Sequence, residues 1–210
     1  MSPFSKRIGA VVLAAGGSSR FGEPKQLIRF RGKTLVRRVT DAACEAGCSP
    51  VVVVSGSNDK EFRRALDQAC IVIVQNKQWQ CGIGSSIRCG IQELINSSPD
   101  IEAGVLLVCD QPAVDARVIE RLVALRETTG KNIVASSYAD TLGVPALFAR
   151  SIFEELLSLG GQAGAKSIVL RSSDRIASFP FPEGQIDIDT REDWNRASAT
   201  LGEGSASLTI

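Results

Sequence analysis

The sequence predicts an α/β fold in which helices cover both faces of a mostly parallel sheet. Short apolar runs of strand length alternate with amphipathic segments of helix length from residue 8 onwards. Residues 51–54 are four consecutive valines, which is typical of a strand buried on both faces. Because strands and helices alternate in this way, consecutive strands are expected to run parallel and to be joined by right-handed crossovers.

Residues 8–137 contain most of the predicted elements. The expected strands cover residues 8–15, 51–54, 71–74, 105–108 and 133–137, and the expected helices cover residues 35–46, 59–68, 87–95 and 116–128. Gly47 is a plausible stop for the first helix, and Asp115 can cap the fourth one.

The C-terminal third has shorter predicted elements. A strand is expected over residues 143–148, and Ser151 and Glu154 have the spacing of a capping box for a helix that ends near residue 159. There follow a helix over 166–171, strands over 175–181 and 185–188, and a capping box at Thr190 and Asp193 that opens the last helix. We expect residues 1–200 to form a single domain and residues 201–210 to form a disordered tail.

Composition argues against several classes of function. The chain has 210 residues, 44% of them hydrophobic, and a net charge of +1 with dispersed basic residues, so neither nucleic acid nor a membrane is an expected partner. It contains no histidine, which excludes Ser-His and Cys-His mechanisms and argues against a zinc site. Six cysteines without a Cys-x-x-Cys pair, and no signal-peptide core, lead us to expect a cytoplasmic protein with reduced thiols.

The loop after the first strand carries the strongest chemical signal. Gly16 and Gly17 allow a sharp turn and a close approach of a ligand to the backbone, and Arg20 and Lys25 add two cations. Successive backbone N–H groups in such a loop can form an anion site. The spacing fits neither the Walker A motif nor the dinucleotide fingerprint. A flexible turn with two exposed cations is the alternative, but the combination favours triphosphate binding.

Two further positions are expected near the same edge of the sheet, where α/β proteins bind ligands. Asp110 directly follows the fourth strand, where a carboxylate is placed to hold Mg²⁺; a simple turn fixed by Pro112 explains Asp110 alone equally well. Ser85 and Ser86 fall at a predicted helix N-terminus. Their hydroxyls could reach a ribose or base, or could cap the helix.

Leu13, Gly16, Arg20, Gly22 and Lys25 together resemble the signature loop of the MobA-like nucleotidyltransferases. Further motifs in the same order extend the resemblance over most of residues 8–198. It implies a Rossmann-like sheet of the nucleotide-diphospho-sugar transferase type. It also implies transfer of a nucleoside monophosphate from an NTP to a phosphorylated acceptor, and the CTP:molybdopterin cytidylyltransferases are the members that the chain resembles most.

The resemblance implies a metal site. Asp110 matches the aspartate that binds the metal in the family. Asp189 is a candidate second ligand with Asp187 nearby, because strand alternation would point these two side chains the same way. Simple helix capping is the alternative for Asp189. Mg²⁺ is the expected cofactor.

The resemblance also implies substrate contacts. Ala15, Gly16 and Gly17 are expected to line the nucleotide site. The family's nucleotide loop is matched by Asn76, Gly82, Ser85 and Ser86. Pro145 is a candidate contact in the acceptor half, where Val144 stands in place of the histidine that molybdopterin-processing members usually have.

These assignments predict a Mg²⁺-dependent cytidylyltransferase with Arg20, Lys25 and Asp110 as catalytic residues. The methyl group of Ala15 would take space that a purine needs, so CTP is the favoured NTP. The expected partners are this nucleotide, a phosphorylated acceptor such as molybdopterin, and a molybdoenzyme client. Two alternatives stay open: a cytidylyltransferase of the methylerythritol-phosphate type, and a non-catalytic nucleotide- or molybdopterin-binding chaperone.

Overall fold

The computed structural model describes residues 7–18, 21–57, 59–66, 71–171 and 173–201. In chain order, the strands are β1 (Ile8–Leu13), β2 (Arg29–Phe30), β3 (Lys33–Thr34), β4 (Val51–Ser55), β5 (Ile71–Gln75), β6 (Ala103–Val108), β7 (Ile133–Tyr138), β8 (Thr141–Ala149) and β9 (Ile176–Pro180). The α-helices are α1 (Leu35–Glu45), α2 (Asp59–Ala65), α3 (Ile83–Ser97), α4 (Ala116–Thr129), α5 (Phe153–Leu157), α6 (Lys166–Leu170) and α7 (Arg191–Thr200). Arg20 and residues 202–210, nearly all of the predicted tail, lie outside the described residues.

Seven strands form one sheet in the order β5-β4-β1-β6-β8-β7-β9. β8 is antiparallel to both of its neighbours, β6 and β7, whereas all other neighbouring pairs are parallel. The prediction of a mostly parallel sheet is therefore confirmed. The carboxyl ends of β1, β4 and β6 lie side by side, so the loops that follow them meet at one edge.

Helices pack on both faces of the sheet, as predicted. Val12 and Val53 belong to the core on the side of α1, α2 and α4, whereas Val11 and Val52 belong to the core on the side of α3, α5 and α6. Side chains alternate between the two faces along a strand, so the valine run is buried on both sides. None of the helices in the described ranges has the length and apolar character needed to cross a bilayer.

A third apolar cluster joins α7 to the short β2–β3 hairpin, neither strand of which the sequence predicted. Phe30 of the hairpin packs with Trp194 of α7, and Phe21 and Ile188 belong to the same cluster. This contact matters for the site, because the 3-10 helix Lys25–Leu27 precedes the hairpin and Ile188 lies beside Asp189. Two distant parts of the chain are thereby held together.

The antiparallel strand β8 is longer than predicted. A two-residue turn, with Ala139 and Asp140 at φ values of 46° and 56°, joins it directly to β7. The register shifts after Ala135, so that Val144 and Pro145 form a bulge in β8. Proline cannot donate to the ladder and is tolerated at such a bulge, which explains how the strand passes through it.

Three local predictions are wrong. α3 begins at Ile83, four residues earlier than expected. The Ser151–Glu154 capping box does not form, because the chain enters α5 through the 3-10 helix Arg150–Ile152 and Ser151 is already in a helical turn. Residues 185–188 are not a strand: the chain leaves the 3-10 helix Pro182–Gln185 in an irregular segment. The other predicted capping box, at Thr190 and Asp193, is confirmed.

Candidate active site

A cavity of about 370 Å³ lies at the carboxyl edge of the sheet, beside the ends of β1 and β6. Its lining includes these residues that the sequence predicted as site residues: Ala15, Gly16, Gly17, Lys25, Gly82, Ser86 and Asp110. Small-molecule pockets enclose roughly 300–1,000 Å³, so the cavity can hold a ligand of nucleotide size at least in part. The position at the carboxyl ends of parallel strands is the usual one for ligands of α/β sheets.

The glycine-rich loop is held by a buried glutamine. Gln26 donates from Nε2 to the carbonyl oxygen of Gly16 at 2.6 Å, and its Oε1 accepts from the Ser18 hydroxyl at 3.1 Å. The Lys25 backbone N–H donates to the same Ser18 Oγ at 3.0 Å. A Cβ on Gly17 would come within 2.9 Å of the Trp79 ring, so glycine is required there by contact. These bonds fix the loop against the cavity without using its cations.

The Lys25 ammonium lies between two carboxylates. Its Nζ is 2.8 Å from Asp110 Oδ2 and 2.5 Å from Asp189 Oδ1. Burial lowers the pKa of Lys25, but the charge of Asp110 and hydrogen bonds to both carboxylates raise this pKa by more, so it lies above its ordinary value. The alternative in which Lys25 is an exposed cation on a flexible turn is wrong: the residue is 9% exposed.

Asp187 adds a third negative charge to this group. Although the residue is exposed, partial desolvation and the charges of Asp110 and Asp189 raise the pKa of its carboxyl to about 7. The ammonium of Lys25 pairs directly with Asp110 and Asp189. Asp189 itself is not a helix cap, because Thr190 caps α7 and Asp193 Oδ2 accepts from the backbone N–H groups of Asp189 and Thr190.

The donor set at Asp110 and Asp189 fits a hard divalent cation. In the described part of the chain, no group of three or more acidic, cysteine or histidine side chains is arranged to hold a metal ion. Mg²⁺ does not need such a cage, since it is usually held by one or two carboxylates together with substrate phosphates and water. The two carboxylates and the local excess of negative charge meet that requirement.

The start of α3 is organised by Asn76. Its Nδ2 donates to Ser85 Oγ at 2.8 Å and to Ser86 Oγ at 3.0 Å. Ser85 in turn hydrogen-bonds to the carbonyls of Gln78 and Gly82. Asn76 and Ser85 are buried and do not line the cavity, whereas Ser86 does. Gly82 is the N-cap residue of α3, so neither serine caps the helix.

Pro145 also lies away from the cavity. It is buried in the bulge of β8, where its carbonyl accepts from the Ser136 hydroxyl at 2.8 Å. Gln111, the residue after Asp110, approaches this bulge: its Nε2 donates to the Val144 carbonyl at 3.2 Å and to the Gly184 carbonyl at 2.7 Å. Gln111 therefore ties the Asp110 turn to the bulge and to the turn that precedes Asp187, a function that the sequence reasoning missed.

The segment over residues 160–164 packs against the start of α3, a contact that the sequence did not predict. Gly161 accepts a hydrogen bond from the Gly84 backbone N–H at 2.8 Å, and Cβ atoms on Gly82, Gly84 or Gly161 would collide with backbone across this contact. Gln162 reaches the cavity lining together with Gln80. Only the unusual density of glycines in both segments could have indicated that the two backbones touch.

These features together are typical of a class: α/β proteins that bind a phosphate-bearing ligand at the carboxyl edge of the sheet. Comparisons with known proteins narrow the class to one family. Residues 10–176 match the MobA-like NTP transferase domain. Because the match covers most of the chain, the protein belongs to the MobA-like NTP transferase family, and the resemblance identified from the sequence is confirmed.

Two curated proteins are similar to about half of this chain. The chain is 31% identical over 118 residues to a nicotine blue oxidoreductase of Paenarthrobacter nicotinovorans, covering 55% of each protein. It is also 31% identical over 118 residues to a probable molybdenum cofactor guanylyltransferase of Opitutus terrae, covering 55% of this chain and 54% of the relative. The matched stretch thus spans about half the length of these curated relatives.

A solved structure resembles this fold over nearly its whole length. The crystal structure of Rv0371C from Mycobacterium tuberculosis H37Rv in complex with manganese superposes with a TM-score of 0.69 at 28% sequence identity. The superposition covers 91% of this chain and 97% of that chain. The likeness agrees with the α/β sheet, and manganese is bound in that structure of Rv0371C.

Proposed function

We propose that this protein transfers a nucleotidyl group from an NTP to a phosphorylated small-molecule acceptor and releases pyrophosphate. One observation carries the proposal: the Lys25 ammonium lies between Asp110 and Asp189 at a cavity lined by the glycine-rich loop. Such a group offers a cation to phosphate oxygens and carboxylates to a divalent metal ion. Membership of the MobA-like NTP transferase family supports the same reaction class.

The metal in the proposal is Mg²⁺, held by Asp110 and Asp189 with Asp187 nearby. When bound, a divalent ion supplies charge that offsets the negative phosphates during transfer. The manganese complex of Rv0371C supports a divalent ion, and the choice of Mg²⁺ over Mn²⁺ is part of the proposal.

The residues of the chain act on the phosphates. An oxygen of the acceptor phosphate forms a bond to the α-phosphorus of the NTP, and the bond from that phosphorus to the pyrophosphate oxygen breaks. Lys25, together with Arg20, offsets the charge of the triphosphate and of the leaving pyrophosphate. The acceptor phosphate is already ionised, so no general base is needed, and a chain without histidine can catalyse the step.

The nucleotide in the proposal is CTP. Ala15 is buried and lines the cavity, where its methyl group takes space that a purine ring would need. A size difference of this kind is worth only about 1–3 kcal/mol, so the expected preference is strong but incomplete. GTP is the competitor to test, because one relative is named a guanylyltransferase.

A competition assay tests this choice. With equal concentrations of the four NTPs, we expect the wild type to consume CTP first and Ala15→Gly to use GTP more readily. Equal use of GTP by the wild type would rule out the cytidylyl preference while leaving nucleotidyl transfer intact.

The acceptor in the proposal is molybdopterin or the molybdenum cofactor, with a molybdoenzyme as client and the cytoplasm as the location. The name of the Opitutus terrae relative supports this acceptor class. The decisive experiment measures pyrophosphate release from each NTP, with and without molybdopterin, in the presence of Mg²⁺. If nucleotide binds but no pyrophosphate is released with any NTP, the protein is a binder and the proposal fails.

A further inference from the structure

Two carboxylates at the site are fixed by bonds that do not involve Lys25. The backbone N–H of Ile188 donates to the Asp110 carbonyl at 2.9 Å, which joins the two segments that carry Asp110 and Asp189. The backbone N–H of Asp189 donates to Asp193 Oδ2, which belongs to the capping box of α7. Gln111 ties the Asp110 turn to β8 and to Gly184. These bonds therefore hold together the two backbone segments that carry the carboxylates, without help from Lys25.

The cation between them is the adaptable partner. Lys25 reaches both carboxylates through four methylene groups, and its three N–H donors rotate freely. Its side chain is 11% exposed, whereas those of Asp110 and Asp189 are 24% and 33% exposed. The carboxylates can thus be approached from solvent while the ammonium fills the space between them.

The charges do not balance around this ammonium. Asp110 and Asp189 bring two carboxylates into contact with one ammonium. A divalent ion would balance them better. It would need the two oxygens that Lys25 now occupies, Asp110 Oδ2 and Asp189 Oδ1.

We infer that Lys25 is an internal counter-cation that competes with a divalent metal ion for Asp110 and Asp189, so that metal binding releases the ammonium towards the phosphates of the nucleotide. The competition between Lys25 and the metal ion is inferred from the contacts alone. Only the movement of Lys25 towards nucleotide phosphates rests on the proposed function. Because coupling between two ligands is reciprocal, metal and nucleotide then each tighten the binding of the other.

The first test measures binding of Mn²⁺ to nucleotide-free protein by electron paramagnetic resonance. Lys25→Met keeps the length of the side chain but removes the competing charge, so we expect it to bind Mn²⁺ about tenfold more tightly than the wild type, within the usual 5- to 150-fold range of coupling. Lys33→Met is the matched control, because Lys33 pairs with Asp41 instead. Asp110→Asn should lose the Mn²⁺ site altogether.

Unchanged or weaker Mn²⁺ binding by a folded Lys25→Met variant would overturn the inference. A second measurement on the wild type covers the case in which this variant does not fold. Acetylation of each lysine is followed by peptide mass spectrometry, with and without Mg²⁺. We expect Mg²⁺ alone to raise the reactivity of Lys25 several-fold and to leave Lys33 unchanged; unchanged or lower reactivity of Lys25 would equally overturn the inference.

The two proposals can fail separately. If Mg²⁺ exposes Lys25 but no NTP is turned over, the counter-cation inference stands and the transferase proposal falls. If CTP is turned over but Lys25→Met and wild type bind Mn²⁺ equally, the transferase proposal stands and the inference falls. A CTP titration with and without Mn²⁺ then measures the coupling directly.

Discussion

Two ion-pair clusters with opposite charge balance lie in this protein. On α1, Asp41 is buried and accepts from Lys33 Nζ at 2.6 Å and from Arg37 Nε at 2.7 Å, so two cations serve one carboxylate. At the cavity, one lysine serves two carboxylates with a third nearby. At Asp41 the excess charge is positive, and its carriers, Lys33 and Arg37, reach solvent. At the other cluster the excess charge is negative and lies beside the cavity. The first cluster needs no ligand, whereas the proposed function has a divalent metal ion complete the second.

The largest expected effect is on turnover, and it distinguishes Asp110 at the cavity from Asp41 on α1. Asp110→Asn should lower turnover by about 100- to 1,000-fold, since it removes charge from the site where metal and phosphates meet. Asp41→Asn should leave turnover within twofold of the wild type and lower the thermal midpoint instead. Pyrophosphate release and thermal unfolding measure the two effects. Normal turnover by Asp110→Asn would mean that Asp110, like Asp41, is not needed for the reaction.

The next effect compares the two lysines. Lys25→Met leaves two facing carboxylates without their cation, so we expect the free energy of unfolding of metal-free protein to fall by about 2 kcal/mol. Lys33→Met should lower it by less than about 0.5 kcal/mol, because Lys33 is half exposed and Arg37 still pairs with Asp41. Urea titrations measure both. Adding Mn²⁺ should restore the stability of Lys25→Met more than that of the wild type.

Gln111 gives a smaller effect. Gln111→Met removes the donors to Val144 and Gly184, so turnover should fall by about 10- to 100-fold, as for other partners that orient a metal ligand. Gln92→Met is the matched control, because Gln92 is exposed on α3 and bonds only to Asn96 among the described contacts. Measuring kcat, Mn²⁺ affinity and thermal stability of the same variant distinguishes loss of metal positioning from a simple loss of stability. A loss of stability with unchanged metal affinity would contradict the positioning role.

The smallest effect concerns the third carboxylate. The folded-state pKa of Asp187, about 7, lies above its unfolded value of 3.8, so the folded protein holds this proton more tightly and the residue reduces stability as pH rises from 4 to 7. Asp187→Asn should therefore raise the free energy of unfolding at pH 8 by up to about 1 kcal/mol and leave it unchanged at pH 4. Urea titrations at the two pH values measure this. An equal effect at both pH values would show that ionisation of Asp187 is not the cause.

The main outline of the fold could be predicted because it depends on local periodicity. The valine run of β4 and the capping residues Asp115 and Thr190 each act within a few positions of themselves, and all three are as predicted. The alternating apolar residues at 185–188 were mistaken for a strand. The segment is irregular, and its bond from the Ile188 N–H goes to Asp110, in a turn far away in the sequence. Apolar alternation does not reveal such a partner.

The sequence could predict that several candidate site residues lie at one edge of the sheet, but it could not predict how their side chains pair. The glycine-rich loop and Asp110 follow strand ends, so their meeting at one edge follows from the parallel sheet. Lys25 and Asp189 are 164 positions apart; the third apolar cluster, which joins α7 to the β2–β3 hairpin, and the bond from Ile188 to the Asp110 carbonyl bring them together. The substrate contact predicted for Asn76 stays a prediction, and the sequence did not reveal that its amide holds two serines.

The meeting of α3 with the segment at 160–164 has a consequence for where the cavity can change. Main chain touches main chain there, and the glycines leave no room for side chains. The contact is therefore fixed by glycines, while Gln162 of this segment and Gln80, which precedes α3, are exposed and line the cavity. A substitution at either glutamine would change the cavity lining without placing a new side chain at the glycines of the backbone contact.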